Sequence, residues 1–384
     1  MNANETAARP EDFHVAIAAE IGTAHGGSFQ KAGELIRAAR DAGADFVKFQ
    51  WVYAQEILHP DTGFVPLPGG QIRLYDRFRE LEVPPDFFAR TAEYARSIGC
   101  GFICSPFGLQ SLEELLALTP DAVKIASPEL NHYPLLEALA KANRGRQITG
   151  KKPIPIILSS GVSTLGDIEK ALSPLSDLPF ITLLHCVTAY PAPEEEYNVN
   201  LIRTLRDIFG VQTGISDHSL DPALVPVLSV AVGGRMIEKH ITLSRTTVGL
   251  DDPVALEPAQ FAEMTREVRK AEKMIRENGF SQGQTQIIAE FEGRYGSEKV
   301  RNVLGDGIKR LSPAESANYG RTNRSLHYMR SMTAGAIIAP ADVAALRTEK
   351  VLSPGISPEF LPLITGRILR KDVQNGEGVR WQQL

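Results

Sequence analysis

His218 and His240 each close a short apolar segment, GISDH and MIEKH, and histidine is the residue type that most often binds metal ions. On adjacent parallel strands, two such rings lie close enough for one divalent ion to bridge them. Imidazole favours Mn, Zn or Fe over Mg and Ca. Glu20 and Asp251 are the carboxylates best placed to add ligands, directly or through water. The pair therefore predicts a metal site; the alternative is that each ring hydrogen-bonds a loop.

Three lysines, Lys48, Lys124 and Lys239, lie at or near the ends of similar segments. Because side chains alternate along a strand, Lys48 and Gln50 point the same way. At the mouth of a site they would meet an anionic or hydroxyl-rich ligand. Any one lysine alone is better explained as a solvated charge or a structural ion pair. The three together, with serines nearby, predict an anion site.

Serines add hydroxyl groups to this predicted anion site. Ser127 follows Lys124 in KIASPE, and Ser159 and Ser160 end the next apolar segment. Together they could hold a phosphate or a carboxylate, and the SSG turn would add backbone N–H donors at a helix N-terminus. The chain has no GxGxxG after its first segment and no Walker loop, so a nucleotide is not indicated.

Three further residues have two explanations each. Glu129 is either a buried hydrogen-bonding partner or an acid of the site. Asp217 either orients the imidazole of His218 or caps the helix that follows. Tyr190, in HCVTAYPAP, either lies over the pocket or forms a structural Tyr-Pro corner.

Eight short apolar runs, each ending in polar or charged residues, must position these groups. They are HVAIAAEIG (14–22), DFVKFQ (45–50), GFICSPF (101–107), DAVKIASPE (121–129), IPIILSSG (154–161), FITLLHC (180–186), QTGISDH (212–218) and RMIEKHI (235–241). Such runs are typical of strands buried on both faces, and helical patterns lie between them. The alternation predicts an α/β fold, a (β/α)8 TIM barrel, with its chemistry where the strands end. The side chains expected to converge there are Glu20, Lys48, Gln50, Lys124, Ser127, Ser159, His218, Glu238 and His240.

At 384 residues the chain can hold one barrel of about 250 residues and a second small domain. We expect the barrel over residues 1–280 and a polar connector with little helical period over 281–320. A small β-rich domain is expected over 321–384, where short runs are separated by TAG, SPG and NGEG turns. So small a core would lean on the barrel or on a neighbouring subunit.

Composition argues against several classes of function. A net charge of −5, with no basic run carrying aromatic residues, argues against a nucleic-acid partner. No run approaches the ~18 apolar residues that a membrane span needs, and the N-terminus lacks the pattern of a secretory signal. Three cysteines in or next to predicted strands suggest free thiols in a reducing compartment. A cytoplasmic enzyme is the expectation.

The segments together resemble the sialic acid synthase family, which makes nonulosonic acids from phosphoenolpyruvate and an amino sugar. The matching stretches are AEIGTAHGG (19–27), GADFVKFQ (43–50), SPF (105–107), KIASPE (124–129), LSSG (158–161), LHCVTAYPAP (184–193), GISDHS (214–219), IEKHITL (237–243) and GLDDPVALEP (249–258). The tail, with NRSLHYM, SPGISPEF and ITGRIL, resembles that family's C-terminal antifreeze-like (SAF) domain. The resemblance runs in order from about residue 14 to the end of the chain.

The resemblance implies a role for each matching position. His218 and His240 would bind a divalent ion, usually manganese or magnesium. Phosphoenolpyruvate would be held by Lys48, Lys124, Ser127, Ser159 and Ser216. The sugar-and-metal side would be lined by Glu20, Gln50, Tyr190, Glu238 and Asp251, and the expected catalytic residues are Glu20, Lys48 and Glu238. Arg347, 23 residues after Arg324, would reach from the tail domain into a partner subunit's barrel to hold the sugar's acyl group, which implies a domain-swapped homodimer.

Several positions depart from the family pattern on the acceptor side. Ala24 precedes His25 where the family has asparagine, and Thr188 replaces the asparagine of HCxNxYP. The loop before LYDRF reads PGGQ without the expected asparagine, and Thr348 rather than proline follows Arg347. The phosphoenolpyruvate and metal positions are kept, which favours the same reaction on an altered sugar.

The expected reaction joins C3 of phosphoenolpyruvate to the aldehyde carbon of an open-chain amino hexose, N-acetylmannosamine or a related sugar, with the metal polarising the aldehyde. Glu20 or a nearby carboxylate stabilises the cation at C2, water adds there, and phosphate leaves by C–O cleavage. One alternative is a pseudaminic- or legionaminic-type synthase using a 6-deoxy diacetamido hexose. Others are a phosphoenolpyruvate-condensing barrel enzyme acting on a phosphorylated sugar, a Schiff-base aldolase using Lys124 or Lys239, and a catalytically silent sugar-binding scaffold.

Overall fold

A closed barrel of eight parallel strands is the main feature of the computed structural model, which describes residues 12–67, 70–247, 249–349 and 351–384. Numbered along the chain, the barrel strands are β1 (Ala16–Gly22), β2 (Phe46–Trp51), β5 (Gly101–Pro106), β6 (Ala122–Ile125), β7 (Ile156–Ser159), β8 (Ile181–Cys186), β9 (Gln212–Asp217) and β10 (Met236–His240). They follow one another around the barrel, and β1 closes it by pairing with β10. The predicted (β/α)8 barrel is confirmed.

Helices follow the strands around the outside of the barrel. They are α1 (Phe29–Asp41), α4 (Pro85–Ser97), α5 (Leu109–Ala117), α6 (Tyr133–Ile148), α7 (Leu165–Leu172), α8 (Leu201–Phe209), α9 (Leu224–Ala231) and α10 (Pro258–Asn278). Local sequence sets their ends: Thr164 and Asp167 form a capping box at the start of α7. Gly210 ends α8 in the left-handed conformation, which glycine adopts without strain.

The long loop after β2 contains short elements. Between β2 and α4 lie α2 (Ala54–Ile57), an antiparallel hairpin of β3 (Phe64–Leu67) and β4 (Gly70–Arg73), and α3 (Leu74–Arg79). Residues 68 and 69, the first half of the PGGQ departure, lie outside the described residues.

Strand alternation divides the barrel side chains into two sets. On β2, Val47, Phe49 and Trp51 are buried against the helices, whereas Lys48 and Gln50 face the barrel axis. The lower layer of the interior is apolar, formed by Ala18, Ile103, Ala122, Ile157, Leu184 and Met236. One step closer to the carboxyl ends, the inward side chains are polar or charged, so the barrel floor is a packed core and its mouth carries the chemistry.

The segment expected to be an irregular connector is largely helical. Residues Phe280–Tyr295 form α11, Ser297–Leu304 form α12 and Pro313–Ser316 form the short α13. The expectation of little helical period over 281–320 is therefore wrong for 281–304. The apolar stripe is narrow, since only positions such as Ile287, Phe291, Val300 and Val303 are buried, and the many polar residues between them hide the period.

The tail forms a small unit around an antiparallel pair, β11 (Arg324–Tyr328) and β12 (Val343–Arg347), followed by α14 (Leu361–Ile364). Its core holds Leu326, Tyr328, Ile338, Val373 and Val379. The unit lies against the barrel of the same chain, where the Asn131 side chain donates to the Arg324 carbonyl at 2.8 Å and accepts from its N–H at 2.9 Å. In the part of the chain that the structure describes, no helix has the length and apolarity that crossing a membrane requires.

Candidate active site

Glu20, on β1, lies in the layer of polar side chains that face the barrel axis at the mouth, and two neighbouring side chains of β2 contact it. Lys48 Nζ is 2.7 Å from Glu20 Oε1, and the Gln50 amide donates to the same oxygen at 2.7 Å. The other oxygen, Oε2, is buried and has no hydrogen-bond partner. Burial raises the pKa of Glu20, even though the Lys48 ammonium opposes that shift. A half-satisfied carboxyl of this kind is poised to meet a ligand.

Glu238 lies between two lysines on the other side of the same layer. Its carboxylate is 3.6 Å from Lys124 Nζ and 3.9 Å from Lys48 Nζ, and the Ser216 hydroxyl donates to it at 3.0 Å. Burial alone would raise the pKa of Glu238, but the two ammonium groups lower it overall. Burial lowers the pKa of Lys124. The predicted convergence of Lys48, Lys124 and Glu238 is therefore present, and Ser216 lies with them.

The serines predicted to bind phosphate differ in their partners. Ser159 Oγ is buried without a hydrogen-bond partner, and Ser127 Oγ accepts the Gly161 N–H at 3.1 Å. The Ser160 hydroxyl donates to the Leu184 carbonyl at 3.1 Å and serves the fold. The SSG turn does not offer the free N–H donors that were predicted. Ser160 N–H binds Leu184 O, Gly161 N–H binds Ser127, and Val162 N–H binds Glu315.

Lys239 is not part of the mouth. It lies between the inward residues Glu238 and His240, so alternation turns it to the outer face of β10. There its ammonium forms a fully buried ion pair with Asp217 and also donates to Ser219. Inclusion of Lys239 in the anion site was therefore wrong. Asp217 caps no helix and makes no direct hydrogen bond to the His218 ring, since its oxygens accept from Lys239 and Ser219.

The two histidines lie side by side at the mouth, with ring centroids 5.5 Å apart. His218 Nδ1 donates to the Val187 carbonyl at 2.9 Å, so in the neutral ring the lone pair lies on Nε2. Burial opposes a charge on His218, but the Cys186 sulfur and the Val187 carbonyl raise its pKa to about 9. Burial and the neighbouring His218 lower the pKa of His240 well below its ordinary range.

Tyr190 and Asp251 lie around the histidine pair. The Tyr190 ring is stacked on His218 at 4.2 Å, and Asp251 Oδ2 is 3.9 Å from His240 Nδ1. A Cβ at Gly22, whose φ is +55°, would lie within 3.7 Å of Gln50, Glu20 and Asp251 side-chain atoms. The acid, amide and histidine groups therefore meet in one small space.

The donor chemistry of this space fits a divalent ion. Two imidazoles with a carboxylate beside them suit Mn or Zn better than Ca. Among the described residues, no group of three or more His, Cys, Asp or Glu side chains is arranged to hold a metal by itself. Water or substrate oxygens would complete the coordination sphere.

Glu129 and Arg347 form a contact between the barrel and the tail. Glu129 is fully buried and pairs with both Arg324 and Arg347 of the same chain. Arg324 donates further bonds to the carbonyls of Phe107 and Ala345. Of the two explanations for Glu129, the structure supports the buried partner. Arg347, predicted to contact a sugar in a partner's barrel, is bound here by this carboxylate.

Two residues at the mouth were missed by the sequence analysis. Ser105 faces inward beside Gln50 in the strand register, and its buried hydroxyl has no partner. Period-two alternation from Ile103 could have identified it. Glu315, in the connector, accepts the N–H groups of Val162 and Thr188. Its only sequence signal is the Ser-x-x-Glu capping box that begins at Ser312.

Comparisons with known proteins place this geometry in a family. The NeuB family model matches residues 35–279, and the SAF domain model matches residues 323–384. The N,N'-diacetyllegionaminic acid synthase of Campylobacter jejuni is 30% identical over 95% of this chain and 98% of its own. The mouse N-acetylneuraminate-9-phosphate synthase is 31% identical over 67% of this chain and 70% of its own. The crystal structure of the Bacillus subtilis spore coat polysaccharide biosynthesis protein SpsE, 29% identical, superposes with a TM-score of 0.80 over 96% of this chain and 95% of that one. The chain belongs to the NeuB family and carries a C-terminal SAF domain.

Proposed function

We propose that the protein is a nonulosonic acid synthase that condenses phosphoenolpyruvate with an open-chain amino hexose. C3 of phosphoenolpyruvate forms a bond to the aldehyde carbon of the sugar, whose oxygen becomes a hydroxyl. Water adds at C2, and the C2–O bond to phosphate breaks. The products are a 2-keto-3-deoxy sugar acid and inorganic phosphate. The names of the legionaminic and neuraminic acid synthases among the relatives support this reaction class.

One observation carries the proposal. The buried lysines and glutamates of the mouth lie beside a serine hydroxyl without a partner and beside the pair of histidines. Lys48 and Lys124 supply positive charge at the mouth, and Ser159 Oγ lacks a partner in the free protein. A phosphorylated carboxylic acid would satisfy both. The proposed phosphoenolpyruvate-binding residues are Lys48, Lys124, Ser127, Ser159 and Ser216.

The acceptor side is proposed to lie toward the histidines. Gln50, Tyr190 and Asp251 would contact the sugar there, and Arg347 its acyl group. Glu20 would stabilise positive charge developing at C2, with Lys48 and Glu238 setting its ionisation and position. Binding and alignment of the two substrates supply much of the rate enhancement in such a condensation.

His218 and His240 are the proposed ligands of a divalent ion, manganese or magnesium. When bound, such an ion draws electron density from the aldehyde oxygen of the acceptor. The Val187 carbonyl holds the His218 ring in the tautomer that presents Nε2. Tyr190 stacks on the same ring and limits its movement.

The proposed acceptor is N-acetylmannosamine or a related sugar, with a 6-deoxy diacetamido hexose as the second candidate. The legionaminic acid synthase likeness and the departures at Ala24 and Thr188 favour testing both. We further propose a cytoplasmic, domain-swapped homodimer, in which the contact between Glu129 and Arg347 is exchanged between two copies.

The test is phosphate release from phosphoenolpyruvate by the purified protein with manganese, with and without EDTA. The panel would hold N-acetylmannosamine, mannose and 6-deoxy diacetamido hexoses. We expect acceptor-dependent release that EDTA abolishes. We also expect Lys124→Met to lose activity while Lys141→Met, at an exposed lysine of α6, keeps it.

Outcomes of this test separate the competing functions. Lysine trapping by borohydride with pyruvate, together with resistance to EDTA, would replace the synthase with a Schiff-base aldolase. Lys124 would be its nucleophile, because Lys239 is paired outside the barrel interior. Failure to bind phosphoenolpyruvate at all would overturn the proposed function.

A further inference from the structure

The connector after α12 brings a buried carboxylate to the mouth of the barrel. Glu315 is 1% exposed, although it lies on the four-residue helix α13. Its Oε1 accepts the backbone N–H of Val162 at 2.7 Å and that of Thr188 at 2.9 Å. Val162 follows β7 and Thr188 follows β8, so one oxygen joins two adjacent barrel loops.

Gly161 shows how closely this carboxylate approaches the proposed phosphoenolpyruvate site. A Cβ added to Gly161 would lie 2.0 Å from Thr188 Oγ1, 2.9 Å from Ser127 Oγ and 3.1 Å from Glu315 Oε1. The Gly161 N–H itself donates to Ser127 Oγ. Glu315 is therefore packed against the loop that orients Ser127.

Several contacts hold the connector in place on both sides of Glu315. Lys309 Nζ donates to the Ser160 carbonyl at 3.0 Å, and the Ala314 N–H donates to Glu196 at 2.9 Å. The Asn323 side chain, at the start of the tail, donates to the Val162 carbonyl at 3.1 Å. Glu315 is thus placed by the connector, and the loops are placed by Glu315.

The chemistry of the two N–H groups explains what this contact does. Converging backbone N–H groups bind anions, and a carboxylate that accepts both forms charge-assisted hydrogen bonds. With Glu315 in place, these donors are unavailable to substrate phosphate. The phosphate is left to the side chains of Lys124, Ser127 and Ser159, and Glu315 fixes the loops after β7 and β8 beside them.

We infer that Glu315 is a positioning residue for the phosphoenolpyruvate end of the site, acting through the loops after β7 and β8. This role rests on the proposed function. It makes the connector between barrel and tail a determinant of phosphoenolpyruvate affinity.

The test compares Glu315→Ala with Glu315→Gln. Glutamine keeps an Oε1 that accepts both N–H groups, whereas alanine leaves them unpaired in a buried space. For Glu315→Ala we expect the KM for phosphoenolpyruvate to rise by about tenfold, with the KM for the sugar within about twofold of wild type. Glu315→Gln should recover most of the loss. Glu298→Ala, at an exposed carboxylate of α12, is the matched control.

Hydrogen–deuterium exchange tests the contact without relying on turnover or on a well-folded variant. In the wild-type protein, the amides of Val162 and Thr188 should be protected although both lie in loops. Rapid exchange there, or an alanine variant with an unchanged KM for phosphoenolpyruvate, would overturn the role of Glu315 alone. Absence of phosphoenolpyruvate binding by the wild type, with the amides protected, would instead overturn the proposed function, and with it this use of the contact.

Discussion

At the scale of single residues, the mouth of the barrel holds two kinds of polar group. Its charged side chains have partners of opposite charge, whereas some of its hydroxyl groups have no hydrogen-bond partner. Glu238 has two lysines and a serine around it, and Glu20 has Lys48 and Gln50. Buried charges are tolerated only when they are paired in this way. Ser159, by contrast, has no partner for its hydroxyl. The charges therefore set the electrostatic potential of the site, and the unpartnered hydroxyl is available to a ligand.

Glu238→Gln tests the charge pairing. Glutamine keeps the volume and still accepts the Ser216 hydroxyl, but Lys124 and Lys48 lose their shared counter-charge. We expect kcat/KM for phosphoenolpyruvate to fall by about 100-fold, measured by phosphate release. Glu298→Gln is the control. A variant within twofold of wild type would show that Glu238 has no part in the reaction.

Ser159→Ala and Ser160→Ala are a matched pair of neighbouring serines. The Ser159 hydroxyl makes no hydrogen bond in the free protein, whereas that of Ser160 donates to Leu184 O. Ser159→Ala should weaken phosphoenolpyruvate binding by about tenfold and leave the free energy of unfolding within about 0.5 kcal/mol. Ser160→Ala should destabilise the protein by about 1 kcal/mol and leave binding unchanged. Calorimetric titration and urea unfolding distinguish the two; the reverse pattern would contradict the assignment.

At the scale of secondary-structure elements, three buried histidines that are not part of the proposed metal site form hydrogen bonds to loops and to a helix end. Burial lowers the pKa of His25 to about 4, of His132 to about 3 and of His185 to about 4. His132 caps α6, since its Nδ1 accepts the Leu135 N–H. His25 accepts the Gly27 N–H in the loop after β1, and His185 donates to the Tyr197 carbonyl. These elements depend on imidazole rings that remain neutral.

Acid should therefore destabilise the protein through these histidines. In the unfolded chain these histidines have pKa values near 6.5, whereas in the folded protein their pKa values are about 4 or below. Between these values the unfolded state therefore binds more protons than the folded state. Their contribution to the free energy of unfolding thus decreases as pH falls from 7 to 5. His132→Asn, which still caps α6, should reduce that decrease by up to about 2 kcal/mol. Urea unfolding at both pH values is the measurement, and an unchanged slope would contradict the prediction.

At the scale of the whole molecule, one buried carboxylate joins the tail to the barrel. Glu129 of the barrel pairs with Arg324 and Arg347 of the tail, and the structure describes this contact within one chain. Removing one member of a buried ion cluster leaves charges without partners, which is strongly destabilising. The tail and the barrel are therefore coupled energetically. The same coupling applies if a swapped dimer exchanges the contact between copies.

A mixed dimer of Glu238→Gln and Arg347→Ala chains tests the proposed swap. If each tail serves the partner's barrel, one of the two sites receives an intact barrel and an intact tail. Co-expression with two affinity tags should then give a heterodimer with about half of wild-type activity, although each homodimer is expected to be about 100-fold less active than wild type. An inactive heterodimer would show that tail and barrel of the same chain form the site. A monomeric wild-type protein would overturn the dimer.

Some features of this protein were determined by the sequence alone because they depend on local periodicity. The order of eight apolar runs predicts the barrel, and alternation along β2 predicts that Lys48 and Gln50 face inward together. The same rule places Lys239 on the opposite face from Glu238 and His240. Lys239 was wrongly included in the predicted anion site because the three lysines were grouped by residue type and not by the alternation of side chains along the strand. The helical connector was missed because its apolar stripe is narrow.

Other features were decided only by the tertiary structure, because they depend on partners distant in the sequence. Gly161 is bound by a serine 34 residues away, and Val162 by a carboxylate 153 residues away. Glu129 meets arginines 195 and 218 residues further along. Periodicity predicts which way a side chain points, since it depends on neighbouring residues. What that side chain meets is set by how the connector and the tail pack onto the barrel, and no local pattern contains that information.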